Sequence, residues 1–177
     1  KLIENGETII SLDNHSRGKI ENLDFAFNYA NFHHFDCDIS DFKVLKKTLN
    51  QITFENEISE VWHLAANSDI PAGVESLDVD YKDTFLTTFN LLKWMKEKKI
   101  FHFYFASSSA IYGDHGLNIL TESSGPLLPL SNYGAMKLAS EACISACNES
   151  FLKTALIFRF PNVVGVPATH GVILDFI

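Results

Sequence analysis

Short apolar runs alternate along this chain with longer segments whose apolar residues recur every three or four positions. The runs predict five strands, at residues 8–12, 32–35, 60–66, 100–106 and 154–160. The periodic segments predict helices at about 41–52, 79–98 and 133–151. Strands that alternate with helices indicate an α/β fold, a doubly wound parallel sheet with helices on both faces.

Local signals refine these elements. Ser40-Asp41 is a capping pair for the first helix, and either Ser131 or Asn132 can cap the third. Lysines gather at 93–99, where the C-terminal end of a helix favours positive charge. The run at 100–106 is the most apolar, so we expect it to form a central strand covered on both faces.

Polar or small residues follow each predicted strand. They are Asp13-Asn14, Asp38, Leu64-Ala65-Ala66, Ser107-Ser108 and Pro161-Asn162. In open parallel sheets ligands bind at the carboxyl ends of the strands. The sequence therefore predicts one functional rim built from these positions.

Composition excludes several classes of function. The 177 residues carry a net charge of −8 without a Lys/Arg cluster, so no nucleic-acid partner is expected. No apolar run is long enough for a membrane span, and no signal peptide is recognisable. The three cysteines lack partners at zinc spacing, and a metal site at His33-His34 is not expected, so we predict a reduced, cytoplasmic protein without a metal.

Candidate chemistry is concentrated in Ser108, Tyr133 and Lys137. Tyr133 and Lys137 are four residues apart on a predicted helix, so their side chains share a face. A Lys ammonium beside a phenol is expected to lower the pKa of the phenol. Such a tyrosine can remove the proton of an alcohol, with Ser108 sharing the hydrogen bond. A solvated Tyr/Lys surface pair is the alternative interpretation.

With these residues the chain resembles the nucleoside-diphosphate-sugar epimerase/dehydratase family of extended short-chain dehydrogenases/reductases, and UDP-glucose 4-epimerases in particular. The resemblance covers essentially the whole chain. It implies a Rossmann-type domain that binds NAD, with Ser108, Tyr133 and Lys137 as the catalytic residues.

The resemblance also assigns binding roles along the rim. It implies cofactor contacts from Asp13, Asn14, Asp38, Ile39, Leu64, Ala65, Ala66, Thr84, Tyr133, Lys137 and Pro161, and substrate contacts from Ser108, Ser109, Tyr133 and Asn162. An acid at Asp13 would bind the adenosine ribose and favour NAD over NADP. Thr84 stands where the family usually has a cofactor-contacting Asn. Asp13 and Asp38 could otherwise be turn or cap residues, Leu64–Ala66 close packing, and Pro161-Asn162 a turn.

Two features of the family are missing from the 177 residues. The glycine-rich loop that follows the family's first strand is not in the sequence, and Lys1–Gly6 is similar to the end of the helix after it. Residues from about 165 lead towards a C-terminal substrate domain that the sequence does not contain. We therefore expect residues 1–177 to be a partial NAD-binding domain that binds NAD poorly by itself.

The positions after Ser108 bear on the reaction. Dehydratases of this family carry an acidic pair where this chain has Ser109 and Ala110, so the resemblance favours 4-epimerisation through a transient 4-keto sugar. Alternatives are an NAD(P)-linked reductase, dehydratase or decarboxylase, and a non-catalytic dinucleotide-binding scaffold. The expected partners are a nucleoside-diphosphate sugar and a second copy of the chain, paired through the helices at 79–98 and 133–151.

Overall fold

All five predicted strands are present in the computed structural model, which describes residues 1–52, 57–67 and 69–163. The strands are β1 Ile9–Asp13, β2 Phe32–Asp36, β3 Glu60–His63, β4 His102–Ser108 and β5 Thr154–Phe160. All of their pairings are parallel, as predicted. β3 is shorter than expected and ends at His63, so Leu64–Ala66 lie in the following loop. The expected lead towards a substrate domain, from about residue 165, lies outside the described residues.

The strands form two sheets, with the orders β1-β2 and β3-β4-β5. The dinucleotide-binding fold has the strand order 3-2-1-4-5-6. The two sheets correspond to its positions 3-2 and 4-5-6, and no strand of the described residues lies between β1 and β3. The fold is therefore Rossmann-like, but the expected single sheet is divided. Leu12 of β1 and Val61 of β3 nevertheless pack against the same buried core.

The helices are α1 Phe42–Ile52, α2 Ile70–Glu75, α3 Leu77–Asp80, α4 Thr87–Lys98 and α5 Asn132–Ser150, and a π-helical turn, Tyr81–Leu86, joins α3 to α4. α2 lies where the Pro and Gly of the sequence indicate a loop. Asp69 caps it by accepting a hydrogen bond from the Ala72 amide at 3.1 Å, and Pro71 lies in the first turn, where its missing N–H costs nothing.

No helix among the described residues is long and apolar enough to cross a bilayer.

The described helices that pack on the sheets do so on one face. Trp94 of α4 and Ile144 of α5 are buried with Phe103 and Phe105 of β4. On the opposite face Trp62 stacks on Tyr104 and is 47% exposed. Side chains therefore alternate between buried and partly exposed along β4, and within the described residues the prediction of a doubly covered strand is wrong.

The start of α5 determines where its first side chains lie. Ser131, one of the two predicted candidates, caps the helix by accepting a hydrogen bond from the Gly134 amide at 3.1 Å. A Cβ at Gly134 would lie 2.6 Å from the Ala110 carbonyl oxygen. Glycine at this position thus lets the helix pack directly on the turn that follows β4, which brings Tyr133 close to Ser108.

Candidate active site

Two adjoining hollows lie along the carboxyl ends of the strands and share Ala66 and Asn67. The first, here called the cofactor end, is lined mainly by residues that follow β1 and β2: Leu12, Asp13, Asn14, Ser16, Arg17, Cys37, Asp38 and Ile39, with Ala65, Asp83 and Thr87. The second, the catalytic end, is lined by Leu64, Ala106, Ser107, Ser108, Tyr133, Lys137, Phe160, Pro161 and Val163. Most of the predicted rim therefore comes together in one groove.

Ser108, Tyr133 and Lys137 meet at the catalytic end. Ser108 is the last residue of β4 and lines the same hollow as Tyr133 on the first turn of α5, close enough for its side chain to affect the pKa of the phenol. Lys137, one turn later, is 2% exposed. Its ammonium donates a hydrogen bond to the Ala106 carbonyl at 2.6 Å and lies 5.7 Å from the centre of the Tyr133 ring.

The electrostatics of this trio differ from the expectation. Burial raises the pKa of Tyr133 above its ordinary value; the side chain of Ser108 acts to lower it, and the nearby Asp80 raises it further. Burial also lowers the pKa of Lys137 to about 8, although the charge of Glu141 opposes that change. The ammonium is directed at the Ala106 carbonyl, and the pKa of the phenol stays above its ordinary value. The phenol is therefore protonated at neutral pH in this arrangement.

His63 closes the floor beside the trio. It is 2% exposed, and its Nε2 lies 3.0 Å from the Thr88 hydroxyl oxygen. Burial and the charge of Lys137 lower the pKa of His63 to about 3, so the ring is neutral. A neutral, hydrogen-bonded and buried imidazole in this position is a structural residue.

At the cofactor end the polar groups are more exposed, and several of their hydrogen bonds come from neighbouring residues. The exposed Asp13 carboxylate accepts a hydrogen bond from the His15 amide at 2.8 Å. Asp38 accepts hydrogen bonds from the hydroxyl and amide of Ser40 and pairs with the Lys82 ammonium at 3.2 Å. Burial acts to raise the pKa of Asp38, but these contacts outweigh it and hold the pKa below its usual range.

The residues of the groove fit the two ends of a dinucleotide. The carboxylate of Asp13 offers acceptors for the hydroxyls of a ribose and would repel a 2′-phosphate. The small side chains of Ala65 and Ala66 leave room beside the groove floor. Ser108, Tyr133, Lys137 and Pro161 surround the other end, where a nicotinamide would lie.

The structure places three other predicted residues away from the groove wall. Thr84 is completely buried, and its hydroxyl accepts a hydrogen bond from the Asn67 amide at 3.2 Å, so it supports the loop from below. Ser109 begins the short 3₁₀ turn after β4, and Asn162 is exposed just beyond β5. Neither Ser109 nor Asn162 lines the groove.

Sequence analysis missed Glu141, whose carboxylate accepts hydrogen bonds from Ser107 and Arg159 beneath the catalytic end. The available signal was its spacing. Glu141 lies four residues after Lys137, so both project from the same face of α5.

Comparison with known proteins identifies the family to which the chain belongs. Residues 1–177 match the family described as the NAD dependent epimerase/dehydratase family. The UDP-glucose 4-epimerase of Halalkalibacterium halodurans is 32% identical over 164 residues, which are 93% of this chain and 46% of that protein. The chain spans about half the length of the curated relatives it matches.

Two solved structures have the same fold. The UDP-glucose 4-epimerase of Thermus thermophilus, in complex with NAD, superposes with a TM-score of 0.83 at 28% identity, covering 96% of this chain and 52% of that one. The UDP-N-acetylglucosamine 4-epimerase of Methanobrevibacter ruminantium, in complex with UDP-N-acetylmuramic acid, gives a TM-score of 0.83 at 30% identity, covering 99% and 55%.

Proposed function

The chain belongs to the NAD dependent epimerase/dehydratase family, and from this premise we propose that it carries the catalytic half of an NAD-dependent nucleoside-diphosphate-sugar 4-epimerase. The substrate hydroxyl is oxidised to a transient ketone and reduced again from the opposite face. The observation that carries the proposal is the convergence of Ser108, Tyr133 and the buried Lys137 at one end of a groove whose other end holds Asp13.

Each side chain of the trio has a distinct task. Ser108 orients the substrate hydroxyl beside the Tyr133 oxygen, and Tyr133 accepts and later returns its proton. Lys137 keeps a positive charge below the phenol ring. Because burial raises the pKa of Tyr133, the phenol needs further positive charge to act as a base near neutral pH. NAD, when bound, supplies that charge on its nicotinamide ring and accepts the hydride.

The turn after Ser108 supports epimerisation over elimination. Ser109 and Ala110 form the 3₁₀ turn Ser109–Ile111. Neither side chain can donate a proton to a departing hydroxyl near neutral pH. A ketone formed here therefore has no acid from these two positions for dehydration, and hydride return is the remaining step.

A homodimer and a cytoplasmic location are part of the proposal. Tyr81 and Phe89 project from the helical stretch expected to pair across a two-fold axis, and each is about half exposed. Aromatic side chains of this kind are frequent in interfaces. Sedimentation velocity of the complete protein would show a dimer. All three cysteines are free, as in proteins of reducing compartments.

The activity is tested by incubating the complete protein with a panel of UDP-hexoses and following the products by NMR. We expect the 4-epimer to form to equilibrium without net NADH production. A 4-keto-6-deoxy product, or net consumption of NADPH, would contradict the proposal in favour of a dehydratase or a reductase.

A further inference from the structure

A buried ion pair beneath the catalytic end has no part in the mechanism described so far. Glu141 is 6% exposed and lies on α5. Its carboxylate accepts hydrogen bonds from the Ser107 hydroxyl at 2.5 Å and from Arg159 Nη2 at 2.8 Å, with Arg159 Nε at 3.2 Å from both oxygens. This two-pronged geometry is the strongest form of Arg–carboxylate contact.

The pair joins the elements that carry the catalytic residues. Ser107, which precedes Ser108 on β4, is the register partner of Arg159 on β5. Glu141 binds both of them from α5, the helix of Tyr133 and Lys137. One carboxylate therefore fixes β4, β5 and α5 relative to one another.

Arg159 extends these contacts to the segment after β4. Its Nη1 donates hydrogen bonds to the Glu122 carbonyl at 2.9 Å and to the hydroxyl of the buried Tyr112 at 3.2 Å. The segment between β4 and α5 is thereby tied to the same ion pair.

The charge of Glu141 also affects the pKa of Lys137. The Lys137 ammonium lies 4.7 Å from the centre of the Phe105 ring and donates to the Ala106 carbonyl. The titratable groups that face or act on it are the neutral His63 of β3, the Tyr133 phenol and Glu141. Among them Glu141 provides the negative charge.

We propose that Glu141, held by Arg159, is a positioning residue: it fixes the Ser108 end of β4 relative to α5, the helix that carries Tyr133 and Lys137. The proposal rests on the function proposed above, because positioning is defined by the reaction of the trio. Burial lowers the pKa of Lys137 to about 8 and Glu141 raises it, so loss of Glu141 would let Lys137 lose its proton at lower pH. A pair that served only to stabilise the fold would leave kcat unchanged in variants that remain folded.

The test is the Glu141→Gln variant of the complete protein. Titration of the Lys137 side chain is followed by NMR on protein labelled with ¹³C-lysine, and Lys137→Met assigns the signal. We expect the Lys137 pKa to fall by about one unit, kcat to fall about tenfold or more, and KM to change less than about twofold, because the transition state loses more than the bound substrate.

Two further variants keep the proposal falsifiable if Glu141→Gln folds poorly. The double variant Glu141→Gln/Arg159→Met leaves no unpaired Arg and should show the same fall in kcat. Ser140→Ala is the matched control, because Ser140 is also buried on α5 but donates its hydroxyl within the helix, to the Met136 carbonyl at 2.8 Å. It should leave the Lys137 titration unchanged.

The outcomes separate this inference from the proposed function. If the protein epimerises a UDP-hexose and neither Glu141 variant moves the Lys137 pKa or kcat, the positioning role is overturned. If the Lys137 pKa falls as expected but no UDP-hexose is epimerised, the effect of the Glu141 charge on Lys137 stands and the proposed function fails.

Discussion

The two ends of the groove are built in different ways. At the catalytic end the Lys137 ammonium and the Glu141 carboxylate are almost completely buried, and their hydrogen bonds join elements that are far apart in the sequence. At the cofactor end Asp13 and Asp38 accept hydrogen bonds from residues only two positions away, and the Lys82 partner of Asp38 is 55% exposed. Contacts between distant elements thus fix the catalytic geometry, whereas the two carboxylates of the cofactor end are held by exposed and largely local contacts.

The free-energy cost of losing an ion pair also differs between the two ends of the groove. Exposed ion pairs contribute between about 0 and 1 kcal/mol, whereas removing one partner of a buried pair costs about 3 to 5 kcal/mol. Substitutions at the catalytic end should therefore have large effects on turnover or folding, and substitutions at the cofactor end smaller effects on binding.

The largest effect is expected for Tyr133→Phe, which removes the proton acceptor and keeps the ring. We expect kcat to fall by a factor of about 10² to 10⁴, measured by NMR with a UDP-hexose and the complete protein. Tyr104→Phe is the matched control, because Tyr104 lies on the opposite face of β4, stacked on Trp62. Near-normal turnover by Tyr133→Phe would remove Tyr133 from the mechanism.

Gly134→Ala tests the packing that brings α5 to the end of β4. The new Cβ would lie 2.6 Å from the Ala110 carbonyl oxygen and push the helix start away from Ser108. We expect kcat to fall about 10- to 100-fold, with a loss of about 1 to 3 kcal/mol in the free energy of unfolding. In Gly125→Ala the nearest atom to the new Cβ would be 4.0 Å away, so this control should retain activity. If Gly134→Ala and Gly125→Ala were equally active, the close approach of Gly134 to the Ala110 carbonyl would not be needed for turnover.

Much of the fold and of the catalytic end can be predicted from the sequence, because the features concerned depend on residues that are close together in the chain. Apolar runs predicted all five strands, and the spacing of Tyr133 and Lys137 predicted that they share a helix face. The short helix α2 was missed because its cap, the hydrogen bond from Ala72 to Asp69, outweighs the usual effect of Pro and Gly.

Features that depend on contacts between distant residues could not be predicted. The raised pKa of Tyr133 results mainly from burial, which spacing does not reveal. The pairing of Glu141 with Arg159 requires α5 to pack across β5. The binding roles that the resemblance assigns to residues of the rim remain predictions. Thr84 is completely buried, so it supports the loop beneath the groove and does not line the groove.

Acid should weaken the floor of the catalytic end through His63. Its pKa is about 3 in the folded protein, below the ordinary 6.5, so between these values the unfolded chain binds a proton that the folded protein does not. The stabilisation is complete above about pH 6.5 and is lost as the pH falls towards 3. From pH 7 to pH 5 we expect a loss of about 2 kcal/mol, measured by urea unfolding. In His63→Gln this contribution should vanish; an unchanged pH dependence would contradict the assignment.

A smaller effect is expected at the cofactor end. Asp13→Asn weakens the acceptor for ribose hydroxyls and removes the charge that repels a 2′-phosphate. We expect the Kd for NAD to rise about tenfold and the discrimination against NADP to decrease, measured by fluorescence titration of the complete protein. Lys82→Met, which removes only an exposed ion pair, should change the Kd less than about fivefold. A larger change in the Kd for NAD with Lys82→Met than with Asp13→Asn would contradict the expected role of Asp13 in ribose binding.

The most direct test of the proposed chemistry uses a UDP-hexose that carries deuterium on C4. If Tyr133 takes the hydroxyl proton while the hydrogen on C4 leaves as hydride and returns, the 4-epimer must retain the deuterium and take up no solvent hydrogen at that carbon. Mass spectrometry and NMR of the product measure this retention. Full retention in the 4-epimer is the predicted result; exchange of the label with solvent, or the absence of any 4-epimer from every hexose tested, would contradict it.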